Sequence, residues 1–200
     1  MSPTSREPAF SVDPQFIERW SPRAFTGEAI PEEALMSMLE AARWSPSANN
    51  SQPWRFSYAR KGEAAWDRFL DFLMDSNRAW AREAGALVIV ISKTQYVTAS
   101  HAEPRFTRTH SFDTGAAALA FQLQAMKLGF HAHPMGGIHQ DKIRADLGLP
   151  DEGFVIEAAI AVGRKAEADT LPEKLKEREV PSARMAIADF AFNGTFDPKT

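Results

Sequence analysis

The length, composition and charge of this chain limit its possible functions. It has 200 residues with 44% apolar content, enough to bury one sizeable core, and no flexible or charged linker divides it. Its formal net charge of -3 comes from intermixed acids and bases, without the basic stripe that binds nucleic acid. The absence of cysteine excludes disulfides and thiol redox chemistry, so any redox function must come from a cofactor.

The sequence predicts a cytoplasmic protein that does not enter a membrane. Residues 1–7 lack the apolar core of a signal peptide. The longest apolar run, residues 86–91, is far shorter than a membrane span.

The first segment with recognisable chemistry is Arg-Trp-Ser-Pro-Arg-Ala-Phe at residues 19–25. Arg19 and Arg23 offer planar forks of donors that match phosphate oxygens, and Ser21 adds a short neutral donor between them. The segment is therefore a candidate phosphate site, with a solvated surface patch as the alternative.

Residues 31–44 are predicted to form an amphipathic helix, because proline and two glutamates begin it and apolar residues recur at helical spacing. The segment that follows, residues 45–54, holds two prolines that stiffen it without a regular hydrogen-bond ladder. The amides and hydroxyls of Ser47, Asn50 and Gln52 are then available to a ligand. An Asx or Ser turn that closes the helix is the alternative.

The middle of the chain alternates between predicted strands and helices. Residues 55–60 indicate a strand, residues 63–82 a helix rich in Trp and Phe, and residues 86–91 a strand buried on both faces. Residues 93–110 are polar and predict a long loop, which in a compact domain is usually functional or mobile.

Residues 113–128 are predicted to form a long apolar helix. A helical repeat joins five of its residues: Ala116, Leu119, Ala120, Leu123 and Met126. Small residues cluster early in this helix and permit close approach of another helix. Either a subunit interface or burial against the protein's own sheet would satisfy this pattern.

Two short segments after this helix each allow two interpretations. His131 and His133 would share one face of a strand and could bind a metal, but no cysteine or carboxylate accompanies them at ligand spacing, and we predict no metal. Gly136 and Gly137 are typical of a turn, or of a backbone that approaches a ligand closely.

The last predicted strand spans residues 154–162. The residues after it, rich in Lys, Glu and Pro, cannot build a core of their own and are expected to wrap around a partner surface. Within them, the run 173–179 resembles a solvated helix, to which we assign no role.

Taken in order, these segments resemble the FMN-dependent nitroreductase family, over about residues 11–190. The motifs that carry the resemblance lie at residues 19–25, 45–54, 112–118, 133–137, 147–150, 159–164 and 171–184. The resemblance implies one domain over residues 1–200 with an α+β fold, in which helices flank a central, mostly antiparallel sheet. It also implies a homodimer in which FMN lies at the subunit interface and the C-terminal extension wraps the partner.

The resemblance also implies a role for each candidate residue. Arg19, Ser21 and Arg184 would hold the FMN phosphate, and Arg23 would reach toward the ribityl chain and the pyrimidine edge. Ser47, Asn50 and Gln52 would hold the ribityl chain or the pyrimidine edge, largely from the other subunit. The backbone at Met135, Gly136 and Gly137 would lie against the N5 and O4 edge of the flavin.

The activity implied is a two-step exchange in which NAD(P)H reduces the flavin and a nitroaromatic, quinone or flavin acceptor then reoxidises it. The flavin carries this chemistry, so no catalytic side chain is predicted. Trp80, Phe106 and Phe112 could be lid aromatics or core residues. Trp20 and Asn49 depart from the family pattern, in the phosphate segment and in the turn before Asn50. The alternative function is a storage or regulatory protein that binds FMN without turnover.

Overall fold

A central strand with both faces buried organises the fold. The computed structural model describes residues 6–98 and 101–196. Strand β2 (Ala86–Lys93) has seven consecutive buried residues, as expected of a strand covered on both faces. It pairs antiparallel with β1 (Trp54–Arg60) and β6 (Phe154–Gly163), and β6 pairs antiparallel with β5 (His131–Met135), so the sheet order is β1-β2-β6-β5.

Helices cover this sheet. They are α1 (Pro14–Glu18), α2 (Glu32–Arg43), α3 (Trp66–Leu70), α4 (Asp75–Ala81), α5 (His110–Lys127), α6 (Gln140–Asp146) and α7 (Glu173–Lys176), with 3₁₀ turns at Ala48–Asn50, Ala168–Thr170 and Ile187–Asp189. The predicted α+β fold with a central antiparallel sheet is confirmed. No helix in the described ranges is long and apolar enough to cross a membrane.

Alternation along β2 divides the core into two layers, because successive side chains of a strand point to opposite faces. Val88 and Val90 pack with α2 and α5, whereas Leu87 and Ile89 pack with α3, α4 and α6. Most of each layer is apolar side chain removed from water, which is the main stabilising contribution to such a core.

A β-bulge interrupts the pairing of β2 with β6. Val90 pairs with Ala158, but the next residue, Ile91, pairs with Ile156, so Glu157 has no opposite residue. Bulges re-aim side chains. Here the Glu157 carboxylate accepts hydrogen bonds from Ser92 Oγ at 2.5 Å and from Ser111 Oγ at 2.7 Å, which joins the sheet to the start of α5.

The predicted single helix over residues 63–82 is wrong. The segment forms α3 and α4, and between them Leu73 makes an isolated bridge to Ile138 while the Met74 N–H donates to the Gly137 carbonyl at 3.0 Å. These bonds to a segment distant in sequence take the place of the helical hydrogen bonds that a continuous helix over residues 63–82 would make.

The predicted loop over residues 93–110 is also wrong. Most of it is a β-hairpin of strands β3 (Gln95–Thr98) and β4 (His101–Phe106), while residues 99 and 100 lie outside the described residues. Pro104 is tolerated in β4 because a two-stranded ribbon has an unpaired edge on each side.

Candidate functional site

Four of the predicted site residues line one cavity of about 380 Å³. Its lining consists of Arg19, Trp20, Ser21, Arg23, His133, Arg178, Val180, Ser182 and Arg184. The structure thus brings the N-terminal residues Arg19, Ser21 and Arg23 together with Arg184 from the far end of the chain. We call this cavity the arginine pocket, and no carboxylate is among its described lining residues.

The segment that carries the first three of these residues is fixed to the end of β6. α1 ends at Glu18, and the extended chain after it forms an isolated bridge between Phe25 and Lys165. Ala24 and Phe25 are buried, at 1% and 3% exposure. These contacts anchor the C-terminal end of the segment, and Arg19 Nη1 donates to Ser21 Oγ at 3.4 Å.

The charges of the arginine pocket are only partly compensated. Burial lowers the pKa of Arg19, and the neighbouring Arg184 and Arg6 lower it further. Burial and Arg178 lower the pKa of Arg23, which Glu179 partly opposes. Mutual repulsion among desolvated guanidiniums is relieved when an anion binds, and the donor set of Arg and Ser suits a phosphate.

Glu179 was expected to lie on a solvated helix, and this expectation is wrong. α7 ends at Lys176, and the Glu179 side chain is only 4% exposed. Its Oε1 accepts from the backbone N–H groups of Arg23 at 2.7 Å and of Ala24 at 2.9 Å. Glu179 is one of several glutamates in a charged tail, so nothing in the sequence distinguishes it as the residue that makes this contact.

His133 lies in the wall of the same cavity. Its Nδ1 lies 2.9 Å from the Pro22 carbonyl oxygen, and since a carbonyl only accepts, Nδ1 carries the proton. Burial lowers the pKa of His133 to about 4, Arg23 and Arg19 also lower it, and hydrogen bonds to Pro22 and Ser21 oppose these effects. The imidazole is therefore neutral at pH 7, and its hydrogen bond holds the backbone at Pro22. No cluster of metal-binding residues occurs in the part of the chain that the structure describes.

Trp80 belongs to the core and not to a lid. It is 3% exposed, and its ring lies 4.6 Å from the His133 ring and 6.2 Å from the Phe25 ring. Phe106 and Phe112 are 65% and 80% exposed, so these two remain candidates for contact with a substrate or a second subunit.

The two glycines after β5 differ in their surroundings. A Cβ at Gly137 would lie 2.6 Å from Asn77 Nδ2, whereas a Cβ at Gly136 would meet no atom within 4 Å. The Gly137 carbonyl accepts from Asn77 Nδ2 at 3.1 Å, so Asn77, which sequence reasoning missed, holds this turn. Met135 as a whole residue is buried, at 4% exposure, whereas Gly136 is exposed and Gly137 partly exposed.

The loop over residues 45–54 is strained. Asn49, Asn50 and Gln52 have φ of 51°, 51° and 44°, and they are the non-glycine residues with positive φ in the described ranges. Such conformations typically cost about 1–3 kcal/mol each and cluster at functional sites. Ser47 Oγ accepts from the Gln52 N–H at 3.0 Å, a bond across five residues that differs from the two-residue Asx or Ser turn given as the alternative. Gln52 Nε2 donates to the Asn50 carbonyl at 3.2 Å.

Contacts with two other elements hold this loop in place. The Ala48 N–H donates to Asp113 Oδ2 at 3.1 Å, and Asn49 Nδ2 donates to the Tyr96 hydroxyl at 3.0 Å. Asp113, in the first turn of α5, is 4% exposed and also accepts from Thr109 Oγ1 at 2.9 Å. Ser47, Asn50 and Gln52 are absent from the described lining of the arginine pocket, so a single chain does not join the two motifs in one cavity.

Comparisons with known proteins agree with this architecture. The model of the nitroreductase family matches residues 17–85 and 72–164. A crystal structure of an oxidoreductase containing FMN is 47% identical, with a TM-score of 0.92 over 97% of each chain. An uncharacterized 15.4 kDa protein of Mycolicibacterium smegmatis is 30% identical over 70% of this chain and 95% of its own length. An NADH dehydrogenase of Thermus thermophilus is 26% identical over 80% of this chain and 89% of its own length. This chain belongs to the nitroreductase family.

Proposed function

We propose that the protein is an FMN-dependent oxidoreductase that takes hydride from NAD(P)H and delivers it to a nitroaromatic, a quinone or a related acceptor. The observation that carries this proposal is the arginine pocket, in which Arg19, Arg23, Arg178 and Arg184 converge on one cavity. The 47% identical oxidoreductase that contains FMN supports FMN as the anion that fills it.

The residues present fit a flavin phosphate. Arg19, Arg184 and Ser21 would hold the phosphate oxygens through charged and neutral donors, and Arg178 would add a further cation. Arg23 would extend toward the ribityl chain and the flavin ring. His133 holds the backbone at Pro22 without adding a charge, because its imidazole is neutral at pH 7.

Bound FMN supplies the hydride chemistry itself, and the protein supplies binding, orientation and electrostatics. A cation near the pyrimidine edge favours the reduced, anionic flavin, and Arg23 is the residue we place there. The backbone at Met135, Gly136 and Gly137 would lie along the opposite edge. NAD(P)H and the acceptor would use one face in turn, in a ping-pong order, without a catalytic side chain.

The site is complete only in a homodimer. The core-facing residues of α5 are Asp113, Thr114, Ala117, Phe121 and Ala125. Its other apolar residues, which include Ala116, Leu119 and Ala120, remain partly exposed or exposed. An α5 that is apolar on a second face needs a further partner. A second copy would cover this face and bring its own Ser47, Asn50 and Gln52 to the arginine pocket.

The tail would serve the same interface. Met185, Ile187, Phe190 and Phe196 are 64%, 46%, 58% and 70% exposed, which is unusual for a run of large apolar side chains. In our proposal the C-terminal extension wraps the partner subunit. The single domain over residues 1–200 and the cytoplasmic location stay predictions from the sequence.

Anaerobic mixing of the purified yellow protein with NADH or NADPH tests the function. Rapid loss of the visible flavin absorbance, followed by its return when a quinone or nitroaromatic is added, is the expected result. Flavin that stays oxidised with both nucleotides would indicate storage of FMN without turnover. A colourless monomer that takes up no added FMN would refute the proposal.

A further inference from the structure

The buried carboxylate of Glu179 makes contacts that the cofactor site does not itself require. Its side chain is 4% exposed, and its Oε1 accepts two consecutive backbone N–H groups, those of Arg23 and Ala24. Its Oε2 receives no hydrogen bond within the described residues. Arg23 Nη1 lies 4.0 Å from this second oxygen.

A buried carboxylate is costly unless hydrogen bonds and nearby cations compensate for its lost hydration. Here the compensation comes from the segment that carries Arg19, Ser21 and Arg23, which lies more than 150 residues away along the chain. The residue before Glu179 also holds Arg23, since the Arg178 carbonyl accepts a hydrogen bond from Arg23 Nη1 at 3.5 Å. The C-terminal segment therefore holds both the backbone and the side chain of Arg23.

We propose that Glu179 is a positioning residue for the arginine pocket. By accepting the N–H groups of Arg23 and Ala24, it fixes the orientation of the 19–24 segment, so that Arg19 and Ser21 are preorganised for the phosphate and Arg23 for the ribityl chain and the flavin ring. The inference rests on the proposed function for the identity of the ligand. The tether, by which we mean the two hydrogen bonds from the Arg23 and Ala24 N–H groups to Glu179, does not depend on any ligand. Donors that are already held in place lose less conformational entropy when the ligand binds, so the ligand binds more tightly.

Two substitutions separate the geometry of this tether from its charge. Glu179→Gln removes the charge but keeps a carbonyl oxygen where Oε1 accepts the two N–H groups. Glu179→Asp keeps the charge but withdraws the oxygens by one methylene. Glu177→Gln, an exposed residue of the same segment, is the matched control for a lost charge, and Glu177→Asp is the control for shortening.

Hydrogen exchange of the Arg23 and Ala24 amides in the full chain as purified reports the tether directly. We expect Glu179→Asp to speed this exchange by roughly tenfold or more, because buried donors lose their acceptor. Glu179→Gln and both control variants should exchange like the wild type. This measurement requires no added flavin and no activity, so it remains decisive if the proposed function fails.

Affinities for FMN and for riboflavin, which lacks the phosphate, test the consequence for binding. Glu179→Asp should weaken FMN binding by about tenfold or more and riboflavin binding less, because riboflavin is affected only through Arg23, whereas FMN also loses phosphate contacts with Arg19 and Ser21. Glu179→Gln should retain most of the wild-type affinity for FMN. A loss in Glu179→Gln as large as that in Glu179→Asp, or larger, would overturn the positioning role, because Gln keeps the accepting oxygen and removes only the charge. Unchanged amide exchange in Glu179→Asp would overturn it as well.

Discussion

The Ala48 N–H donates to the buried Asp113 carboxylate at 3.1 Å and thereby fixes a strained loop to the first turn of α5. The loop stores conformational strain at Asn49, Asn50 and Gln52, and strain of this kind persists only where surrounding contacts over-determine the backbone. Asp113, with Thr109 Oγ1 as its second donor, supplies one of those contacts, and it is a buried and charged one.

Replacing Asp113 by Ala should lower the free energy of unfolding by about 1–3 kcal/mol, because a buried N–H and a hydroxyl lose their acceptor. FMN binding should weaken as the loop relaxes. Thermal unfolding and flavin titration check both effects, with the exposed Asp151→Ala as control. Full FMN affinity in Asp113→Ala would mean that the loop does not contribute to the site.

Replacing Arg19 by Ala should weaken FMN binding roughly ten- to a hundredfold, the usual contribution of a charge-assisted phosphate contact. The flavin-free protein should not lose stability through charge, because burial and the neighbouring Arg184 and Arg6 already disfavour the charged Arg19. Fluorescence titration at low and high salt measures the affinity. An unchanged dissociation constant at low salt would remove Arg19 from the phosphate site.

The glycine pair offers a matched comparison. Gly136→Ala places its Cβ in open space, whereas Gly137→Ala places it 2.6 Å from Asn77 Nδ2 and must displace that amide. We expect flavin reduction by NADPH, per mole of bound FMN, to fall in Gly137→Ala and to fall further in Gly137→Val, while Gly136→Ala, whose Cβ meets no protein atom, reports the effect of a methyl group at the flavin edge alone. Thermal unfolding is measured alongside these rates: a lower melting temperature indicates that the turn is destabilised, and a lower rate per flavin indicates that the site is disturbed. Full activity per flavin in Gly137→Val would leave only a structural role.

The stability of the protein should depend on pH through His133. Its pKa falls from 6.5 to about 4 on folding, so between these values the unfolded chain binds the proton and the folded chain does not. The free energy of unfolding should therefore fall as the pH is lowered from 6.5 to 4, by up to about 3 kcal/mol. Urea unfolding across this range should show a smaller loss in His133→Gln. The exposed His139→Gln should retain the wild-type slope, and equal slopes in all three proteins would contradict the assignment.

The second face of α5 is expected to determine the oligomeric state. Ala120→Glu places a charge on that face and should yield monomers that bind FMN weakly, because burying an unpaired charge is costly. Analytical ultracentrifugation together with flavin titration measures both properties. Ala145→Glu, on the exposed face of α6, should remain dimeric and bind FMN. A dimeric Ala120→Glu with normal FMN affinity would place the interface elsewhere.

Where local pattern controls structure, the sequence predictions hold. The helix predicted for residues 31–44 forms at Glu32–Arg43, and the strand predicted for 86–91 forms at Ala86–Lys93. Periodicity and capping residues express preferences within a few residues of each other. The phosphate role of Arg19, Ser21 and Arg23 is likewise read from local spacing, and it stays a prediction.

The sequence by itself thus predicted strands β1, β2 and β6 and the residue types of a candidate phosphate site, and its resemblance to a known family implied the α+β fold class. Only the tertiary structure decided which distant partners complete that site. Leu73 lies between α3 and α4 and pairs with Ile138. Glu179 accepts the N–H groups of Arg23 and Ala24. His133 meets Pro22, and Asp113 holds Ala48. Each of these contacts joins residues 65 or more positions apart, where the energy of burial and hydrogen bonding depends on the packed fold and leaves no periodic trace in the chain.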